Sequence, residues 1–67
     1  MKAANELSED RRCIRLHRLL VRVMEARGTA LRLGEKEIAN GMQATIERID
    51  ARLESFPLYR RAVGRKA

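Results

Sequence analysis

Cys13 and His17 stand four residues apart, a spacing that puts a thiol and an imidazole on one face of a helix. Two chemistries fit such a pair. One pair from each of two subunits would make a tetrahedral Cys₂His₂ zinc site. A thiolate held beside an imidazolium would make a nucleophile. The plainer alternative is a buried thiol with a histidine at the edge of an apolar face. The chain has one cysteine and one histidine and no second half-site, so the plainer alternative is the expectation and no cofactor is implied. The sequence offers no glycine-rich phosphate loop, serine-nucleophile pattern or converging carboxylates. The expected protein is therefore not an enzyme.

The arginines around that pair suggest a different chemistry. Residues 11–22 read RRCIRLHRLLVR. On a helical wheel Arg11, Arg15, Arg18 and Arg22 fall within an arc of roughly 60°, a straight stripe roughly 16 Å long. Arginine forks match phosphate oxygens, and several along one helix can follow a nucleic-acid backbone. Exposed helix positions are also often arginine for propensity alone. The balance is shifted by a net charge of +6 in 67 residues, by a pI near 10.7, and by Arg60, Arg61, Arg65 and Lys66 near the other end. Aromatic stacking platforms for single strands are scarce: Tyr59, beside Arg60 and Arg61, is the sole candidate.

These residues need helices to hold them. Alanine, leucine, arginine and glutamate dominate, and the aromatics are Phe56 and Tyr59 alone. MKAANEL reads as a loose start, Ser8 as an N-cap, and Glu9 and Asp10 as first-turn charges. The first helix is expected over about 9–27, with Gly28 just past its end and Arg27 in its last turn. GTALRLG, 28–34, reads as the connection. The second helix is expected over about 35–55, because Ile38, Met42, Ile46, Ile49, Leu53 and Phe56 recur at steps of three and four. Pro57 ends it. Residues 57–67 read as a short helix or basic tail. The fold expected is one small all-α domain, an antiparallel two-helix hairpin with a possible short third helix.

Apolar residues of the first helix cover far more than one face. Cys13, Ile14, Leu16, Leu19, Leu20, Val21, Val23, Met24 and Ala26 span an arc of roughly 240°, against the ~100° of an ordinary surface helix. The narrow face of the second helix cannot cover that arc. A second copy would cover it, giving a dimer of two hairpins in a four-helix arrangement, and would also relieve the marginal stability of so short a chain. The interface residues expected are Leu16, Leu20, Val23 and Met24 with Ile38, Met42 and Ile49. A different protein, bound as a partner helix, would serve equally well.

Within 35–53, Glu37-Ile38-Ala39 and Thr45-Ile46 resemble the helix-turn-helix pattern of DNA-reading proteins. The spacing departs from it: Asn40 and Gly41 follow the alanine at once, and Thr45 arrives about four residues early, which leaves no room for the turn. Ile38, Met42, Ile46 and Ile49 keep phase across Gly41, so a continuous helix is expected, at a cost of ~1 kcal/mol for the glycine. Glu6, Glu9 and Asp10 stand where a signal peptide would turn apolar, and no run approaches the ~18–20 apolar residues of a membrane span. A lone thiol suits a reducing compartment, so a cytoplasmic location is expected. The function expected is a small regulatory protein holding nucleic acid or another polyanion on the arginine stripe. The alternative is an adaptor or chaperone for a partner helix.

Overall fold

The computed structural model describes residues 4–64, with side chains over 8–64. The described residues form three helices joined by short turns: α1 spans Ala4–Arg32, α2 Lys36–Leu53 and α3 Pro57–Ala62. α1 and α2 form the hairpin, and α3 folds back on α1. Arg65 and Lys66 lie outside the described residues, as does the start of MKAANEL.

α1 is longer at both ends than its sequence signals suggest. Ala4 to Leu7 already belong to the helix, so Ser8 lies inside it and does not cap it. Alanine, glutamate and leucine propagate a helix at little cost, and each added residue gains a backbone bond. At the other end the helix runs through Gly28, and the connection shrinks from 28–34 to Leu33, Gly34 and Glu35. Gly34 is the stop. Its φ of 77° is the left-handed conformation that glycine adopts without strain. Its N–H bonds the Leu31 carbonyl at 3.1 Å, and the Glu35 N–H bonds the Ala30 carbonyl at 2.9 Å. These two bonds are the Schellman closure. Arg27, expected in the last turn, is therefore mid-helix. It is half-buried, and its Nε is buried with no hydrogen-bond partner among the described residues.

α2 begins after Glu35, whose carbonyl takes the Ala39 N–H at 3.0 Å. It stays continuous through Asn40 and Gly41. A Cβ at Gly41 would meet nothing within 4 Å, so this glycine serves no close helix approach. Gly41→Ala is expected to stabilise the fold by about 0.5–1 kcal/mol through helix propensity alone. Thermal melting by circular dichroism would show this as a rise of a few degrees.

α2 closes two residues earlier than expected. Ser55 takes over: its N–H and its hydroxyl both donate to the Arg52 carbonyl, at 3.1 and 2.6 Å. Phe56 is extended, Pro57 opens α3 where its missing N–H costs nothing, and the turn brings α3 against α1.

The core is a single cluster. Cys13 and Leu20 of α1 meet Ile49 and Leu53 of α2 and Phe56 of the turn, with Leu16, Val23, Ile46, Leu58 and Tyr59 packed around them. Nearer the tip the buried residues are small, Ala30 and Ala39. The whole body measures 49 × 22 × 14 Å. A thickness of 14 Å is little more than one helix diameter. Such a layer covers one face of α1 and leaves the rest open.

Candidate nucleic-acid interface

α1 carries Arg11, Arg15, Arg18 and Arg22 on its outer face because its buried face is fixed by Cys13, Leu16, Leu20 and Val23. On the wheel the four arginines centre roughly 150° from that buried face. All four are exposed. None forms a hydrogen bond or ion pair among the described residues. The guanidiniums are thus free to meet an anion without first giving up a carboxylate.

Grooves flank the stripe on both sides. One, of about 370 Å³, is lined by Arg12, Arg15, Leu16, Leu19, Arg52 and Phe56. Its floor is apolar and its rim carries three arginines. The Arg52 guanidinium lies over the Phe56 ring, 5.2 Å from the centroid, and Arg52 Nη1 donates to Ser55 Oγ at 2.9 Å. Sequence reasoning passed over Arg12 and Arg52. Arg12 falls off the stripe on the wheel, and Arg52 belongs to an acidic stretch of α2 that becomes relevant only once Phe56 folds under it. The other groove, of about 310 Å³, runs between α1 and α3, with Arg18 on its rim beside Ile14, His17, Tyr59 and Val63. Arg60 is half-buried and Arg61 exposed on α3. They sit on a separate helix from the stripe.

Cys13 and His17 part company. Cys13 is buried in the core cluster and His17 is exposed, its ring centroid 6.4 Å from that of Tyr59. Among the described residues, no three His, Cys, Asp or Glu side chains gather where a metal could be held. Burial pushes the Cys13 thiol above its ordinary value, the Asp10 charge adds to this, and a hydrogen bond with the Tyr59 backbone opposes it. Burial likewise raises Tyr59. The Asp50 charge and the 3.3 Å hydrogen bond that the phenol donates to Asp50 Oδ1 act in the same direction. An acid raised in the folded state is neutral there while the unfolded chain ionises first. The stability linked to Cys13 is therefore intact below pH 9.0 and is lost as pH rises beyond it. A thiol reagent at neutral pH is expected to label the folded protein at least tenfold more slowly than the urea-unfolded chain. Equal rates would mean an open, nucleophilic Cys13.

The seven residues expected at a partner interface divide. Leu20 and Ile49 are buried within the chain, and Leu16 and Val23 pack partly buried against them. These four are used up by the hairpin. Met42 is half-buried, and Met24 and Ile38 are each 53% exposed. The exposed apolar surface of α1 includes residues outside that set: Ile14, Leu19, Val21 and Leu31.

The fold and this face define a small, basic, all-α hairpin protein with no helix long and apolar enough to cross a membrane among the described residues. Comparison with protein-family models, with curated proteins and with solved structures gives no match.

Proposed function

We propose that this chain is a non-enzymatic regulatory protein that binds nucleic acid through the outer face of α1. Arg11, Arg15, Arg18 and Arg22 hold successive phosphates, and Arg60 and Arg61 extend the basic surface from α3. The observation that carries this reading is the alignment of four exposed guanidiniums with no carboxylate partner among the described residues. The +6 charge of the chain adds attraction at long range. The protein acts as a homodimer of hairpins in a four-helix arrangement, in the cytoplasm, where its free thiol persists.

The test is titration of fluorescently labelled duplex DNA and RNA with the purified protein at low salt. Micromolar or tighter binding is expected. Absence of binding to both at 50 mM salt would overturn the reading.

A second reading, an adaptor that receives a partner helix, draws on the exposed Met24 and its apolar neighbours on α1. It predicts capture of a partner that survives high salt and is lost on polar substitution of Met24.

A further inference from the structure

Ile14, His17, Val21, Met24, Gly28 and Leu31 follow one another on α1 at steps of three, four, three, four and three. That is an a/d seam sustained over 18 residues of one unbroken helix, the pattern that seats one helix in knobs-into-holes contact on another. It is not the seam used inside the chain. The core face, on Cys13, Leu16, Leu20 and Val23, lies roughly 90° around the helix from it. The four apolar side chains of the seam, Ile14, Val21, Met24 and Leu31, are 40–53% exposed. A compact monomer of 7.7 kDa exposes roughly 4,300 Å²; this chain exposes 5483 Å². The excess, on the order of 1,000 Å², belongs to the elongated hairpin as a whole, and the exposed seam is one part of it.

We infer that the occupant of this seam is α1 of a second copy, running antiparallel. It rests on the dimer proposed above for its existence, and adds to it a surface, a direction and a register. The register follows from self-complementarity. Laid antiparallel about the midpoint between Arg22 and Val23, Val21 faces Met24 of the other copy and Ile14 faces Leu31. His17, the one polar member, faces Gly28, the one member without a side chain. The imidazole, which already leans on Tyr59, thus packs over the glycine, where the Arg32 Nη1 lies 3.6 Å from the place of a Cβ. The Leu31 end enters the groove beside Ile14, Tyr59 and Val63. In the same register the flanking positions bring Arg18 against Glu25 of the other copy, twice by symmetry. A parallel pair offers neither match, because His17 would meet His17 and Gly28 would meet Gly28.

Direction has a consequence for the arginine face. A twofold axis perpendicular to two antiparallel helices returns the same flank of each to the same side. The stripe lies roughly 120° from the seam on the flank opposite α2. Both stripes therefore share one face of the dimer, and both α2 helices share the other. A parallel dimer would set the stripes back to back.

The test is cysteine cross-linking of the full chain without nucleic acid. His17→Cys and Gly28→Cys chains are oxidised separately and as a mixture, with the wild type, whose Cys13 is buried, as blank. The mixture is expected to yield the cross-linked dimer and His17→Cys alone is not, since its two copies would stand roughly 16 Å apart along the axis. Cross-linking of His17→Cys to itself would overturn the antiparallel assignment while leaving a dimer. A wild-type mass of one 7.7 kDa chain by sedimentation would overturn the dimer itself. Val21→Glu, at an exposed position outside the core cluster, is expected to give monomers with unchanged helix content, and a persisting dimer would exclude this seam. Arg18→Glu is expected to weaken the dimer about tenfold, and adding Glu25→Arg to restore it. No restoration would overturn the register.

Discussion

Leu53→Ala is expected to abolish cooperative folding of this chain near room temperature. Leu53 is fully buried. It sits at the end of α2 where α1, α2 and the turn into α3 converge, in one cluster with Cys13, Leu20, Ile49 and Phe56. Truncating a buried leucine to alanine costs about 2–5 kcal/mol, more where the site cannot collapse around the void. A chain of 67 residues holds a total stability of roughly 3–10 kcal/mol, with a value near the low end for a layer one helix deep. One methyl-rich side chain thus carries a large share of the total.

The core has no reserve to absorb the loss. Five residues form its buried centre, and the tip of the hairpin is held by Ala30 and Ala39, which have little to bury. Urea unfolding followed by circular dichroism at 222 nm is expected to show a cooperative transition for the wild type and a broad or absent one for Leu53→Ala. Leu33→Ala, at the most exposed large apolar position among the described residues, is the control and should shift stability by less than about 0.5 kcal/mol. A wild-type midpoint for Leu53→Ala would mean that the three helices do not meet where this core places them.

The contrast between Leu53 and Leu33 also shows what the residues announce on their own. α2 is legible because its apolar positions keep one phase and Pro57 stops the run. α3 is legible because proline, once stopped, is a good first helical residue. The end of α1 is not legible. Gly28 and Gly34 each follow an apparent last turn containing an arginine, so local rules cannot choose between them. The choice is made by packing: stopping at Gly28 would leave Ala30 out of contact and α2 without a neighbour along its first turns. The wide apolar arc of α1 was equally visible, but not its division. Which side α2 takes depends on the turn at Gly34 and on Cys13 facing α3. Leu16, Leu20, Val23 and Ile49 therefore look from the sequence like members of an outer interface, whereas the hairpin packs them within the chain. The arginine stripe stood out more clearly because a helix alone defines it. Arg12 and Arg52 did not, because they come together only across two helices.

Replacing Arg15 and Arg22 with alanine is expected to flatten the salt dependence of nucleic-acid binding. Each phosphate neutralised on a duplex contributes about −0.9 to the slope of log K against log salt, so four arginines give about −3.6. For a single stripe, raising salt from 50 to 200 mM would then weaken binding roughly 150-fold, and with two of its arginines removed only about twelvefold. Arg15 and Arg22 are chosen because they lie farthest from the α1 seam and are exposed outside the core cluster, so oligomeric state and fold should be unchanged. Fluorescence anisotropy of a labelled duplex across that salt range measures both slopes. The wild-type value also reads the geometry of the assembly. With both stripes on one face and one duplex lying across them, about eight contacts give a slope near −7. With the stripes back to back, each duplex meets four arginines and the slope stays near −3.6. An unchanged slope in Arg15→Ala/Arg22→Ala would remove the stripe as the binding face, leaving the rim of Arg12 and Arg52 as the place for the same substitution.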